Sequence, residues 1–186
     1  MRPPDQPRRP SRVPQDRLDG AARAPGQTRP AVGHGEKTVS LAIRTATEQD
    51  LPALLELYRQ LSARHQPPAP ALTQAVWHDM LRHPGMHVLL AELEGRVVGT
   101  LTVSFLPNLT RLARPYGVIE NVVVDFSARR QGVGQALMAA AETLAHGVKA
   151  YKLMLMTGHQ VETAQAFYRS CGYDQHSKVP FEKRFL

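Results

Sequence analysis

Seven consecutive residues, Arg129-Arg130-Gln131-Gly132-Val133-Gly134-Gln135, set two guanidinium groups and two glycines at one point of the chain. A short β-branched run, 118–124, precedes them. An alanine-rich run follows, with Leu137, Ala140, Ala141, Leu144 and Ala145 on one helical face. A strand that turns through glycine into a helix exposes unpaired backbone N–H groups at the positive end of the helix dipole, and that combination attracts an anion. The N–H groups of residues 130–135 can meet phosphate oxygens, and Gly132 and Gly134 let the backbone come close. Spacing excludes two phosphate-binding patterns. No Lys-Ser or Lys-Thr follows Gly134, as a P-loop requires, and Leu137 stands where a dinucleotide fingerprint needs its third glycine.

Glu120 interrupts the apolar run just upstream, where a carboxylate is costly to bury without a purpose. Period-two alternation places it on the same face as Val122 and Val124. His159, in a loop after Thr157-Gly158, is an alternative base. Cys171 has no activating neighbour in sequence and reads as packing. His78, His83 and His87 are spaced five and four apart, but Pro84-Gly85 breaks the helix between them, so no metal site is expected.

The elements that carry these groups follow from the pattern along the chain. A short alternating strand at 40–44 leads to Thr47 and Asp50, a weak capping box, with Pro52 in the first turn of a helix. Its stripe of Leu51, Leu54, Leu55, Tyr58 and Leu61 reaches about residue 64, and a second helix spans 73–82. Strands at 87–93 and 96–105 flank the two-residue turn Glu94-Gly95. A loop covers 106–115, the central strand 118–124, and its helix 132–146, with Gly147 as C-terminal cap. A strand at 151–156, a helix at 161–170, and strand material at 173–175 and 180–186 complete the chain. The order β-α-α-β-β-β-α-β-α-β predicts an α/β (α+β) domain: a mixed, mostly antiparallel sheet flanked by helices.

That domain is expected over 39–186. Seven of the 15 prolines and +4 of the formal +7 charge fall in residues 1–38, which hold no aromatic residue and no apolar periodicity. Such a segment cannot bury enough surface to offset its ordering entropy, so a disordered basic tail is expected there. Its basic residues are scattered apart from Arg8-Arg9, and Asp5, Asp16 and Asp19 spoil a transit helix. No apolar run approaches the roughly 20 residues of a membrane span. The single cysteine excludes an internal disulfide, and a cytoplasmic location is the expectation.

Three segments resemble the GCN5-related N-acetyltransferase (GNAT) family: 43–52, 120–137 with its Arg-x-x-Gly-x-Gly core, and Ala164-Gln165-Ala166-Phe167-Tyr168-Arg169-Ser170-Cys171-Gly172-Tyr173. The resemblance spans about 39–186 and implies the acyl-CoA N-acyltransferase fold, with acetyl-CoA as co-substrate. It implies that the loop from Arg129 to Gln135 holds the coenzyme diphosphate. The backbone of Val122, Val123 and Val124 would meet the pantetheine amides by strand addition. It implies that Tyr168 is the general acid for the departing thiolate, with Glu120 as the candidate base. Many relatives carry an asparagine where Val161 stands. The expected activity is direct acetyl transfer to a primary amine, on family breadth that of a small molecule rather than a protein terminus or lysine. Tyr58, Trp77, Arg111, Tyr116 and Lys178 fall in the segments that shape the acceptor site in such proteins. Two other classes compete: a non-catalytic acyl-CoA-binding or sensing domain, and a nucleic-acid-associated protein using the basic tail. Neither a membrane nor nucleic acid is an expected partner, and homodimerisation is left open.

Overall fold

Residues 40–61, 68–158 and 160–185 are described by the computed structural model. The expectations for the tail at 1–38 and for His159 lie outside the described residues. Five strands form one sheet in the order β1-β2-β3-β4-β5. They are β1 (Leu41–Thr45), β2 (Met86–Leu93), β3 (Arg96–Leu106), β4 (Tyr116–Val124) and β5 (Leu153–Leu155). The first three pairings are antiparallel and β4–β5 is parallel, so the mixed sheet expected from the sequence is present. Around it lie α1 (Leu51–Leu61), α2 (Pro70–Arg82), the single turn α3 (Thr110–Ala113), α4 (Val133–Gly147) and α5 (Glu162–Ser170).

Local chemistry accounts for the joints. Glu94 and Gly95 both take positive φ, which a two-residue hairpin turn between right-twisted strands demands. Both bonds of the Thr47–Asp50 capping box are made, around a 3-10 turn at Glu48–Asp50 that leads into α1. Asp50 also receives both terminal nitrogens of Arg44, at 2.8 and 2.7 Å, while Arg44 Nε donates to Glu92 at 2.8 Å. The Arg44 guanidinium is the main cause holding the buried Asp50 carboxyl down at about 2. One side of the sheet carries a cluster of Ala46, Leu54, Trp77, Val88 and Leu90 beneath α1 and α2. On α4, Leu137, Ala141, Leu144 and Ala145 are buried, as their spacing predicts, while Ala140 is half-buried and Met138 is buried beside them.

The structure departs from the sequence reading in several places. No strand forms at 173–175 or 180–185: Val179, Phe181 and Phe185 are exposed, and Pro180 has no N–H to offer a ladder. The adjacent sheet edge, β5, is three residues long and gives a further strand little to pair with. Helix α2 begins at Pro70 rather than 73, because proline fits a first turn as well as it breaks a helix interior. Gly147 lies inside α4, with Val148 at the cap. The segment at 106–115 contains α3, whose Arg111, Leu112 and Ala113 all have left-handed φ. Trp77, expected near an acceptor, is core at 2% exposure, with its indole N–H donating to the Glu48 carbonyl.

Candidate active site

The site grows from the end of β4. Pairing between β4 and β5 stops at Ile119 and Leu155, while β4 runs on to Val124, so the two strands part. Asp125 N–H donates to the Val98 carbonyl at 2.8 Å, on the β3 side. By alternation the N–H and C=O groups of Val124, and of Val122, point away from β3 along an open edge. A cleft of about 810 Å³ lies there. It is lined by Glu120, Val122, Val123, Val124, Arg129, Arg130, Gly132, Val133, Gly134, Gln135 and Tyr168. Groups scattered over almost fifty residues of sequence thus face one space.

β4 is bulged. Glu120 sits opposite Thr102 and Val123 opposite Thr100, so three steps on β4 match two on β3. Asn121, within the bulge, has φ 55. This corrects the expectation that Glu120, Val122 and Val124 share a face. Val124 pairs with Gly99, which alternates with Thr102, so Val124 lies on the opposite face from Glu120. An inserted residue reverses every later side chain, and strand periodicity alone does not signal it.

The loop after β4 is held by its own side chains and by α1. Asp125 accepts from Ser127 N at 2.9 Å and from the Ser127 hydroxyl, and caps a 3-10 turn at Phe126–Ala128. Gln60, at the end of α1, donates to Asp125 at 3.0 Å and accepts from Phe126 N–H at 3.1 Å. The Ser127 hydroxyl and then Gln60 hold the Asp125 carboxyl down at about 2. Arg129 Nε donates to the Val124 carbonyl at 3.2 Å, and its guanidinium lies 3.9 Å from the centre of the Phe126 ring. Gln131 does not line the cleft; its amide donates to the Ser127 carbonyl at 3.0 Å. Sequence reasoning passed over Gln60, Asp125 and Phe126, and Gln60 carries no local signal because its partners lie 65 and 66 residues away.

Helix α4 then starts on a left-handed Gly132, φ 81. The first helical bond runs from Ala136 N–H to the Gly132 carbonyl at 3.0 Å, so the N–H groups of Val133, Gly134 and Gln135 have no acceptor within the helix. The two glycines serve different needs. A Cβ at Gly132 would meet nothing within 4 Å, so conformation is the demand there; at Gly134 it would stand 2.9 Å from the Phe167 ring. Phe167 seats α5 on the helix entry, its ring centre 5.2 Å from that of Tyr168.

Burial is the main cause raising the Tyr168 phenol above its ordinary 10.0, followed by Cys171 and then Glu120. The charge of Glu120 therefore reaches Tyr168. Cys171 is partly buried, and burial raises its thiol, so it stays protonated and inert at neutral pH. Val161 lines the cleft just before α5 and makes no side-chain cap. Arg111, Tyr116 and Lys178 are not among the cleft-lining residues. The open edge, the free N–H groups and the arginines suit an extended ligand with amides at one end and phosphates at the other.

Residues 51–173 match the family model of the Acetyltransferase (GNAT) family. A glucosamine 6-phosphate N-acetyltransferase of Trypanosoma brucei brucei is 33% identical over 142 residues, covering 75% of this chain and 93% of that protein. Among solved structures, a protein of Agrobacterium tumefaciens str. C58 assigned as an acetyltransferase is 40% identical, with TM-score 0.74, covering 77% of this chain and 99% of that one. A Trypanosoma brucei acetyltransferase is 30% identical, with TM-score 0.66, covering 78% of this chain and all of the other.

Proposed function

The chain belongs to the GNAT acetyltransferase family, and from that premise we propose that it moves an acetyl group from acetyl-CoA directly to the primary amine of a small molecule. One observation carries the reading: Tyr168, which burial keeps protonated, and Glu120 line the same cleft as the open edge of β4 and the first turn of α4. In this reading the N–H groups of Val133, Gly134 and Gln135 and the guanidinium groups of Arg129 and Arg130 hold the diphosphate. The outward backbone groups of Val122 and Val124 pair with the pantetheine amides, with Val123 fixing the strand from the core side. Acetyl-CoA, when bound, supplies the acetyl thioester. Glu120 takes the proton that the amine loses as the C–N bond forms, directly or through one water. Tyr168 gives its proton to the sulfur as the C–S bond breaks. Neither step requires a covalent bond to the protein.

The acceptor class rests on the relatives. The Trypanosoma brucei brucei relative is named for an amino-sugar phosphate, and that supports a small hydroxylated amine here. The test is thiol release from acetyl-CoA across a panel of amino sugars, polyamines and peptides. Turnover is expected with a small amine. Tyr168→Phe should lower kcat by about 100-fold with little change in KM for acetyl-CoA. Full activity of Tyr168→Phe would remove the acid assignment. Binding of acetyl-CoA with no turnover across the panel would favour the non-catalytic reading.

A further inference from the structure

The turn that leads from β4 into the anion-binding loop is tied at two atoms to one side chain of α1. That helix is anchored in the core by Leu54 and Leu57, and Gln60 in its last turn lines the cleft. Gln60 Nε2 donates to one Asp125 carboxylate oxygen at 3.0 Å, and its Oε1 accepts from Phe126 N–H at 3.1 Å. An amide presents a donor and an acceptor side by side, which is what a carboxylate next to a backbone N–H requires. The other Asp125 oxygen accepts from Ser127 N–H at 2.9 Å, and Arg96, at the start of β3, donates to the Ser127 hydroxyl at 3.0 Å. The turn in its place supports the groups read as phosphate ligands. The Phe126 ring lies 3.9 Å from the Arg129 guanidinium, and the Gln131 amide is bonded to the Ser127 carbonyl at 3.0 Å. A shift of Phe126 therefore carries Arg129 with it, and a shift of Ser127 carries the residue just before the left-handed Gly132.

We propose that Gln60 is a positioning residue for coenzyme binding: by clamping Asp125 and Phe126 to α1, it sets where Arg129 and the N–H groups that open α4 meet the diphosphate. Gln60 acts through the turn and not on the reacting atoms. Without its two bonds the turn would have to be ordered at the moment of binding, and affinity would fall by that cost. The proposal rests on the reading of the loop as the site of the acetyl-CoA diphosphate.

The test is calorimetric titration of acetyl-CoA into the full chain and three variants. Gln60→Glu sets a second carboxylate against Asp125. Asp125→Asn leaves one donor facing another whichever way its amide turns. Each single change should weaken binding about tenfold, since a hydrogen bond to a charged group is lost. The double variant Gln60→Glu/Asp125→Asn exchanges the two groups. The amide then sits on the turn and donates to a carboxylate on α1, which also accepts from Phe126 N–H. Its Kd should return to within about threefold of wild type, a coupling that two independent lesions would not show. Wild-type affinity in either single variant would overturn the proposal and leave the coenzyme reading standing. A double variant that binds no tighter than the weaker single one would assign the loss to local damage and overturn the proposal as well. Failure of the wild-type chain to bind acetyl-CoA would overturn both readings.

Discussion

Tyr168 suits proton donation because its surroundings disfavour the phenolate. Burial is the main cause, and Cys171 and then Glu120 act in the same direction. The folded value therefore lies above 10.0, and the proton is held throughout the neutral range. On the proposed mechanism, kcat should show no alkaline limb from Tyr168 below pH 10, and in Tyr168→Phe any limb that appears above it should vanish. A limb near pH 8 that disappears in Tyr168→Phe would contradict the assignment. Tyr168 was legible in the sequence because it sits within a ten-residue pattern. The residues around it were legible only in part: Glu120 stood out as a charge in an apolar strand, whereas Gln60 is a polar position in an amphipathic helix like many others. Its bonds to Asp125 and Phe126 cross between elements distant in sequence, and no local pattern encodes such a contact.

The strand, loop and helix around residues 118–146 were the most legible element, since β-branched content, paired glycines and an alanine-rich face all agree there. The structure divides the labour of the two glycines. Gly132→Ala keeps its space but forces alanine into a left-handed conformation, at about 1–2 kcal/mol. Its main effect should be a higher KM for acetyl-CoA through a displaced loop. Gly134→Ala sets a methyl 2.9 Å from Phe167 and must push α5. Because Tyr168 follows Phe167, kcat should suffer more than KM in that variant. Steady-state kinetics of the two variants separate the cases, and identical patterns would show that both act through the loop alone. The bulge in β4 was the element-scale feature the sequence concealed. Its register follows from pairing with β3, and an unbulged strand of the same composition would have alternated simply.

At the scale of the whole molecule, the Arg44–Asp50–Glu92 cluster joins β1, the turn before α1 and β2, away from the cleft. Folding lowers the Asp50 pKa from 3.8 to about 2, so the ionised carboxylate favours the folded state. That contribution is complete above pH 3.8 and is lost as pH falls towards 2, worth about 2.5 kcal/mol at 1.4 kcal/mol per unit. Asp50→Asn should lower the unfolding free energy by about that amount at pH 7, with the gap closing near pH 2 in urea melts. A gap of equal size at both pH values would show that packing, not ionisation, sets it. The C-terminal segment taught the opposite lesson at this scale. It was expected to supply strand material, yet Phe181 and Phe185 are 93% and 86% exposed, because a strand needs an edge to pair with and β5 offers three residues. By itself the sequence determined what local pattern can carry: the element order, the mixed sheet, the glycine-opened helix and the residues of the acetyltransferase motifs. Tertiary structure alone decided the β4 bulge, the parting of β4 from β5 and the bracing of the loop by α1. Each of these depends on which backbone groups find partners across the fold, and that is a property of the assembled sheet.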